Sequence, residues 1–487
     1  MSRNWGPEPE ATNCQQVSSS SDEKVSGNSG ETGPSSLDDN IVWWDSDTDL
    51  NNPYNWPKWR KLSNCGLISK LTLVEPLASS IFAPGIPDLM KDFGSDNQEL
   101  SSFVVSVYVL GFTFGPMALT PLSEMLGRLP VYHVCNVIFL GFTVVCAKAP
   151  SLTSLIIFWF FAGAFGAAPM ANEGGSIADM YIAEERAGVM AVFSVGPLIG
   201  PIIGPVIGGF LTQAKGWRWD FWVIVIVAGA ISGAMLLVLR ESYAPVLLER
   251  KASRLRKETG NSLFRSRLDT GLSTKDLFKQ CIIRPVKLLV FSPICTIFAV
   301  YLALVYGYIY ILFTSVPYVF EDTYGFSTKM VGLVYLGLGI GGFIDMAWFA
   351  VDGNNEVKKQ LAAKNFKPEA RLKLLSHAAI IFPAGFFIYG WTAEYKTHWP
   401  QSLVWPSLAL LVDAYELYAA SELAANIIMR SITSAILPLC GLKMYHALGL
   451  GWGNSMLGFI AVALIPAPFL ILRYGERLRN KFAIENL

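Results

Sequence analysis

The stretch GPLIGPIIGPVIGGF, from Gly196 to Phe210, decides the fold of this chain. It repeats glycine at every fourth position and contains three Gly-Pro pairs within an apolar segment. In a helix in water, each proline costs about 3 kcal/mol and each glycine about 1 kcal/mol relative to alanine. In a membrane, the backbone groups that lose a hydrogen bond at proline find partners in neighbouring helices. Glycine allows two helices to approach closely. The stretch therefore predicts a bent, tightly packed transmembrane helix in a protein whose parts move against each other.

The composition of the whole chain also indicates a membrane protein. Its 487 residues are 52% hydrophobic and only 16% charged, whereas a soluble domain carries about 25% charged residues. The formal net charge is zero, so nothing points to a nucleic-acid partner. No GxSxG, HExxH or GxxxxGK[ST] pattern occurs in the sequence. We therefore expect that the protein is not an enzyme and holds no cofactor or metal. We also expect a monomer embedded in the lipid bilayer.

Apolar runs of roughly 20 residues mark the expected membrane spans. In the first half they lie near 62–84, 101–121, 131–148, 152–173, 187–211 and 219–239. In the second half they lie near 289–317, 330–351, 374–392, 415–440 and 444–471. We predict an all-α polytopic membrane protein with these domains: a disordered cytoplasmic tail 1–57, a helical bundle 58–239, a basic central loop 240–288, a second bundle 289–472 and a tail 473–487.

The basic segments orient the chain. Lys and Arg cluster in the central loop, before the first span and after the last one, and such clusters stay on the cytoplasmic side. Both termini are then cytoplasmic, which requires an even number of crossings. The segment between Trp391 and Asp413 has only a short apolar part, which contains Pro400 and Pro406. Either a short, tilted tenth helix lies here, or that helix is absent and the topology is irregular.

Several segments resemble the Major Facilitator Superfamily, and within it the fungal drug:proton antiporters with 12 helices, a group of multidrug, polyamine and mycotoxin exporters. PLSEMLGRLPVYH (Pro121–His133) is similar to the loop between helices two and three. LVYGYIYILFTSVPYVFEDTYGFSTKMVGLVYLGLGIG is similar to helices seven and eight, and LVDAYELYAASELAANIIMRS to helix eleven. The resemblance implies two six-helix bundles related by pseudo-twofold symmetry. An abridged tenth-helix region in this chain is one of the two alternatives given above.

The resemblance also assigns roles to two motifs. In the loop between helices two and three, the family's acid, glycine and arginine are Glu124, Gly127 and Arg128, which we interpret as a conformational latch. An ordinary charged cytoplasmic turn is the alternative. In helix five, the family's antiporter motif, which is thought to prevent leak, falls on Gly200, Gly204, Pro205, Gly208 and Gly209.

Acidic side chains within the spans are candidate sites for protons or substrate, because a carboxylate at the bilayer centre costs roughly 2.5–3.5 kcal/mol. The candidates, with one intramembrane cation, are Glu75, Glu173, Asp345, Asp413, Glu416, Glu422 and Arg430. Four of these acids, Glu75, Glu173, Glu416 and Glu422, stand where we expect the resembling family to be neutral. We predict that they define a cationic substrate pocket or additional proton sites. Alternatively, Glu75, Glu173 and Glu416 lie at helix ends and touch water. Asp179 is expected near the cytoplasmic end of helix four, in a structural role.

One position departs from the family pattern. Drug antiporters of the superfamily usually carry an arginine near the start of helix four, and Trp159 stands at that position in the segment WFFAG. Since that arginine is associated with proton coupling, either coupling runs through other residues or this copy is impaired.

These observations together predict a secondary transporter in the plasma membrane. We expect it to export a small organic compound (a drug, toxin or secondary metabolite) in exchange for protons, by alternating access. The alternatives are uptake of a small nutrient or polyamine, and a member that does not transport.

Overall fold

The computed structural model describes residues 40–182, 185–186, 188–190, 195–269, 283, 286–287, 289–348, 372–397 and 423–481. In the first half the α-helices are α1 (Lys58–Ile81), α2 (Ile86–Asp92), α3 (Gln98–Leu126), α4 (Arg128–Ala147), α5 (Leu152–Gly166), α6 (Ala168–Met180), α7 (Val195–Lys215) and α8 (Arg218–Val238). Then follow α9 (Ala244–Thr259), α10 (Pro293–Tyr324), α11 (Thr328–Trp348), α12 (Leu372–Glu394), α13 (Leu423–Leu464) and α14 (Pro466–Lys481).

Seven helical segments among the described residues are long and apolar enough to cross a membrane. They are Lys58–Asp92, Gln98–Leu126, Arg128–Ala147, Leu152–Met180, Arg218–Val238, Pro293–Tyr324 and Asn426–Tyr474. The last of these holds two crossings, because the backbone leaves the helical region at Gly449, where φ is 77°. The predicted spans 187–211, 330–351 and 374–392 fall on α7, α11 and α12, which are not among the seven. The predicted spans in the rest of the chain overlap these seven segments, since runs of apolar residues depend on local composition alone. The expected tenth-helix region between Trp391 and Asp413 lies mostly outside the described residues.

The two halves of the chain pack together along two helix pairs, α3 with α13 and α7 with α11. Within the first pair, the Ser106 hydroxyl donates a hydrogen bond to the carbonyl oxygen of Ala435 at 3.1 Å. Around the second pair, the Thr328 hydroxyl donates to the Asp88 carboxylate at 3.3 Å. These contacts lie towards the end of the molecule where α3 and α11 begin, which we call the closed end.

The closed end also carries polar contacts at its surface. Lys443 of α13 forms an ion pair with Glu99 in the first turn of α3. One residue earlier in α3, the amide of Gln98 lies 2.7 Å from the imidazole of His446. The two halves are thus joined by charge and hydrogen bonds as well as by apolar packing.

Residues 40–57 form defined contacts, which corrects the prediction of disorder for this part of the tail. Strand β1 (Ile41–Val42) pairs in parallel with β2 (Arg265–Ser266) of the central loop. The Lys251 ammonium of α9 donates to the carbonyl oxygen of Trp43 at 2.9 Å and pairs with Asp45. Composition alone predicted disorder because the segment is polar, whereas its backbone groups find their partners in a distant loop.

This amino-terminal segment, residues 40–57, also contacts the first bundle. The Tyr54 hydroxyl donates to the carbonyl oxygen of Ala178 at the end of α6, at 3.1 Å. The Lys61 ammonium in the first turn of α1 donates to the carbonyl oxygen of Tyr54 at 2.8 Å. The segment therefore joins the central loop to the same end of the first bundle as the junction between α3 and α4.

Candidate functional site

Helix α7, which contains the glycine stretch, lies against α1 along one line of glycines. A Cβ atom added at Gly200 would lie 2.9 Å from the carbonyl oxygen of Leu73. At Gly204 it would lie 2.5 Å from the Ser80 hydroxyl, and at Gly208 only 1.6 Å from the Ile81 carbonyl oxygen. No real side chain tolerates such distances, so glycine at this spacing is what permits the two backbones to touch.

The face of α7 that carries Pro205 and Gly209 contacts the other half of the molecule. A Cβ at Gly209 would lie 2.8 Å from the Thr328 carbonyl oxygen and 2.9 Å from Gly332 Cα, both in α11. A Cβ at Gly332 would in turn lie 2.7 Å from the carbonyl oxygen of Pro205. The five residues of the helix-five motif therefore contact two different helices. Gly200, Gly204 and Gly208 face α1. Pro205 and Gly209 face α11.

Arg128 is the centre of a polar cluster at the junction of α3 and α4. Its side chain is buried, with 6% of the residue exposed. Its guanidinium pairs with the Asp179 carboxylate of α6 at 3.2 Å. It also donates to the Ser123 hydroxyl at 2.6 Å and to the Asn172 side-chain oxygen at 3.3 Å. The cluster thus ties α3, α4 and α6 together at one end of the first bundle.

Among the described residues, the carboxylate that forms an ion pair with Arg128 is that of Asp179. Glu124 makes no ion pair with Arg128 in the described region, whereas Asp179, assigned a structural role from the sequence, supplies the partner carboxylate. Glu124 and Arg128 are four positions apart, but Gly127 between them has a φ of 102°, which ends α3 and breaks the helical register. A helical i, i+4 pair therefore does not form at this position.

Glu241 is a member of this cluster that sequence reasoning missed. Its carboxylate accepts hydrogen bonds from the backbone N–H groups of Arg128 at 3.0 Å and Leu129 at 3.2 Å. It therefore caps the free N–H groups at the start of α4. Gly127 leaves the space for it, because a Cβ there would lie 2.3 Å from the Glu241 carboxylate. The available signal was a lone acid directly after the sixth span, within a basic region.

Tyr243 completes the cluster from the start of the central loop. The Arg128 guanidinium lies 4.9 Å from the centre of the Tyr243 ring, within the range of a cation–π interaction. The backbone N–H of Tyr243 also donates to the Glu241 carboxylate at 3.1 Å. The beginning of the central loop is therefore fixed to the first bundle.

The structure places Glu75 deep within the first bundle. The residue is 1% exposed, and neither of its carboxyl oxygens accepts a hydrogen bond from the described part of the chain. Glu173 of α6 is half-buried, and one of its oxygens is buried without a hydrogen-bond partner among the described residues. Of the interpretations left open for Glu75, a helix end in contact with water does not apply.

The remaining candidate residues lie in the second half. Arg430 of α13 is buried, with 5% of the residue exposed, and its guanidinium lies 4.6 Å from the centre of the Tyr306 ring. Asp345 belongs to α11, and its side chain is outside the described part of the structure. Asp413, Glu416 and Glu422 also lie outside the described residues.

Trp159 occupies a packed aromatic cluster. It is fully buried, and its ring centre lies 4.3 Å from that of Tyr108, 5.0 Å from Phe221 and 5.6 Å from Phe82. Trp159 therefore contributes apolar packing to the first bundle. In the antiporters that the sequence resembles, an arginine is expected at this position.

Comparison with known proteins agrees with this architecture. The model of the Major Facilitator Superfamily matches residues 71–466, which include both halves and the glycine helix. The chain belongs to the Major Facilitator Superfamily.

Similar members of the superfamily occur in fungi. The chain is 47% identical over 472 residues to the MFS-type transporter tndD of Aspergillus flavipes, covering 93% of this chain and 88% of that protein. It is 49% identical over 460 residues to the efflux pump radE of Floropilus chiversii, covering 91% and 85%. Membership of the superfamily and these relatives establish a multi-pass membrane transporter.

A solved structure shows the same fold. The partially occluded inward open conformation of the xylose transporter XylE from E. coli superposes with a TM-score of 0.61 at 15% identity, covering 86% of this chain and 98% of that one. The chain thus has the major facilitator fold, in which the helix pairs α3–α13 and α7–α11 are the seam between the halves.

Proposed function

We propose that this member of the Major Facilitator Superfamily exports a small organic compound across the plasma membrane in exchange for protons. The two halves would rock about the seams α3–α13 and α7–α11, so that a central cavity opens to one side at a time. The efflux pump radE, at 49% identity, supports the direction of transport. Two polar groups buried in opposite halves, Glu75 and Arg430, support a polar interior able to bind substrate or protons.

The packing of α7 is the observation that carries this proposal. One face of the helix contacts α1 within its own half, and the adjacent face contacts α11 across the seam. The contacts of Pro205 and Gly209 with α11 involve backbone atoms and glycine, so the two helices approach closely there. We propose that this close contact excludes water between the halves. A transporter that couples two opposed fluxes needs such a seal, because an open path would dissipate the gradient.

The charge distribution supports an orientation for the proposed transporter. The central loop and the segments flanking the bundles are basic, which favours the cytoplasmic side for both termini. With this orientation the closed end would face outward, and we propose that the contacts there keep the outer side shut. We propose that the protein works in this way as a monomer.

A proton gradient supplies enough energy for the proposed exchange. One proton crossing a potential of 100 mV releases about 2.3 kcal/mol. A difference of two pH units adds about 2.7 kcal/mol. Together these terms support an ideal concentration gradient of several thousandfold, so nucleotide hydrolysis is not required.

Transport into everted membrane vesicles tests the proposal. Vesicles containing the full chain would be energised with an inside-acid proton gradient and offered a panel of cationic, neutral and anionic small organic compounds. We expect accumulation of at least one compound, accompanied by proton release from the vesicles. Accumulation that survives collapse of the proton gradient would refute proton exchange, and movement in the opposite direction would indicate an uptake transporter.

A matched pair of variants tests the role of the seam. Gly209→Leu introduces a side chain against Thr328 and Gly332, whereas Gly233→Leu introduces the same side chain at an exposed site of α8 with nothing within 4 Å of its Cβ. We expect Gly209→Leu to abolish coupled accumulation and Gly233→Leu to retain it. Equal activity of the two variants would remove the seam from the mechanism.

A further inference from the structure

We infer that the acidic tail of this chain, residues 1–39, binds to a basic surface of the central loop. The basic surface consists of three arginines, Arg250 and Arg254 of α9 and Arg265 of β2. This surface lies outside the helix pairs that join the two halves, so binding of the tail is independent of the proposed export.

Helix α9 turns a charged side to solvent. The helix carries five basic and only two acidic residues, and its buried side is formed by Leu248 and Ala252, which are both 0% exposed. Arg250 and Arg254 are exposed and lie one helical turn apart, on the opposite side. No large apolar side chain of α9 is exposed, whereas a helix that inserts into a membrane surface presents such side chains. Charge therefore determines what binds to this side.

The positive charges of the basic surface are only partly compensated. Arg250 and Arg265 form no ion pair within the described part of the chain. Arg254 pairs with Glu258 at 3.6 Å, but both side chains are largely exposed, and such a pair is weak. The surface can therefore bind an additional acidic partner.

The tail joins the described chain directly beside this surface. Strand β1 pairs in parallel with β2, and Ile41 lies opposite Arg265 in this pairing. One residue earlier, the side-chain oxygen of Asn40 accepts a hydrogen bond from the side-chain amide of Asn261 at 2.9 Å. Asn261 follows the carboxyl-terminal end of α9 by two residues. The covalent chain thus brings the last residues of the tail to the end of the basic helix.

The composition of the tail complements this surface. Residues 1–39 hold seven acidic and only two basic side chains. The two residues directly before Asn40 are aspartates, and Glu31 precedes Asn40 by nine positions. Nine extended residues span up to about 32 Å, whereas Arg250 lies only about 14 Å along the helix from the end of α9. The acids nearest to Asn40 can therefore reach all three arginines.

The neighbouring amino-terminal segment already binds α9 through an acid. Asp45 forms an ion pair with Lys251, so residues 40–45 run beside α9 from its carboxyl-terminal end to this lysine. Arg267, just after β2, lies 4.9 Å from the centre of the Trp43 ring. Lys251 follows Arg250 in the sequence and projects from an adjacent side of the helix. The tail would thus extend, on the next side of α9, a contact that the described chain already makes.

Tethering makes weak ion pairs sufficient for this contact. A tail attached beside its binding site has an effective concentration on the order of millimolar, and several acids can bind the arginines at the same time. Exposed charges interact over about 8 Å at physiological ionic strength and over about 3 Å in 1 M salt. Binding of the tail should therefore weaken strongly as salt is added.

A nitroxide spin label on the tail tests this contact in the full-length protein. The label would be attached through Ser29→Cys in a background without native cysteines, and the protein placed in nanodiscs of zwitterionic lipid. Binding restrains the label, so we expect a slow-motion component in its spectrum at low salt. In 1 M salt this component should fall several-fold, because the charges are screened.

Two triple variants remove the opposite charges separately. One neutralises the basic surface through Arg250→Gln, Arg254→Gln and Arg265→Gln. The other neutralises the nearest acids of the tail through Glu31→Gln, Asp38→Asn and Asp39→Asn. We expect each variant to reduce the slow-motion component several-fold at low salt. The tail variant changes no described residue, so the test holds even if the surface variant fails to fold.

The matched control neutralises three exposed lysines at the ends of α4, α7 and α12, through Lys148→Gln, Lys215→Gln and Lys396→Gln. It changes the net charge by the same amount as the surface variant, and it should retain the slow-motion component. Trypsin gives a second measurement in the protein with native cysteines. Cleavage after Lys24 of the tail should be several-fold faster in both triple variants than in the wild type and the control.

Three outcomes would overturn the binding of the tail. A wild-type label as mobile as that of the triple variants would refute it, whether or not the protein exports a compound. An equal loss of the slow-motion component in the control would also refute it, because the effect would then follow net charge. If the tail label is mobile and the surface variant retains fewer anionic lipids than the wild type in mixed nanodiscs, the membrane occupies the basic surface instead.

Discussion

Glu241 accepts a hydrogen bond from the backbone N–H of Arg128 at 3.0 Å, although the two residues are 113 positions apart. The contact joins the end of the sixth span to the junction between the second and third. It gives the start of α4 a carboxylate cap that no residue adjacent in sequence provides. Through Arg128 and Asp179 the same cluster reaches the end of α6. The cluster thereby connects the start of α4, the end of α6 and the segment that follows α8.

Glu241→Ala is expected to destabilise the protein by about 1–3 kcal/mol, because buried N–H groups at the start of α4 lose their acceptor. Thermal unfolding of the purified protein in nanodiscs would measure the change. The control is Glu258→Ala, which removes an exposed acid of α9 paired with Arg254 at 3.6 Å, and surface pairs contribute about 1 kcal/mol or less. Equal unfolding temperatures for the two variants would contradict the capping role.

Gly208→Ala is expected to destabilise the first bundle, because the new Cβ would lie 1.6 Å from the Ile81 carbonyl oxygen. The backbones of α1 and α7 must separate to admit it, and overpacking of this kind costs about 1–3 kcal/mol or more. Gly233→Ala meets nothing within 4 Å and gains helix propensity of up to about 1 kcal/mol. The two variants should therefore shift the unfolding temperature in opposite directions, and a shift of the same sign would contradict the packing.

Cross-linking residue 99 to residue 443 is expected to stop transport. Glu99 and Lys443 form an ion pair across the seam at the closed end, so the variant Glu99→Cys with Lys443→Cys, in a background without native cysteines, offers two thiols to a short bifunctional reagent. Alternating access requires this end to open, and a covalent bridge prevents it. The vesicle assay would be performed before and after cross-linking.

The control for this bridge is Arg254→Cys with Glu258→Cys, a pair four residues apart on α9 that should accept the same reagent without loss of transport. Full transport after complete cross-linking of residues 99 and 443 would show that the closed end does not need to open.

Lys251→Ala is expected to release the amino-terminal segment, residues 40–57. The side chain donates to the Trp43 carbonyl oxygen at 2.9 Å and pairs with Asp45, so its loss leaves this part of the segment with the β1–β2 pairing, the Arg267–Trp43 cation–π contact and the Asn261–Asn40 hydrogen bond. Limited proteolysis should then cut this segment several-fold faster than in the wild type. Lys257→Ala, which changes an exposed lysine of the same helix, should leave the rate unchanged. Equal cleavage in both variants would contradict the proposed attachment.

The sequence was informative wherever the signal is local. The spans follow from runs of apolar residues, and α8, for example, falls at Arg218–Val238 against a prediction of 219–239. The glycine spacing in α7 identified a close helix contact, because every fourth residue of a helix lies on one side. Sequence reasoning did not reveal that Gly208 and Gly209 serve different partners, since that depends on the rotation of α7 between α1 and α11.

The candidate site was less accessible to the sequence. The latch of Glu124, Gly127 and Arg128 stays a prediction, and the structure adds two acids that the sequence did not connect with it. Asp179 pairs with the Arg128 guanidinium, and Glu241 accepts a hydrogen bond from the backbone N–H of Arg128. The isolation of Glu75 likewise became visible only from the enclosing helices, because an acid within an apolar run can equally lie at a wet helix end.

The sequence by itself determined that the chain is a polytopic helical membrane protein with a closely packed fifth span, because hydropathy and glycine spacing act over one or two dozen neighbouring residues. Only the tertiary structure decided which acids meet which bases, that the segment around Ile41 pairs with the central loop, and that Glu75 is buried within the first bundle. Those contacts join residues many positions apart. Their existence depends on helix rotation and backbone turns, which the order of residue types does not specify.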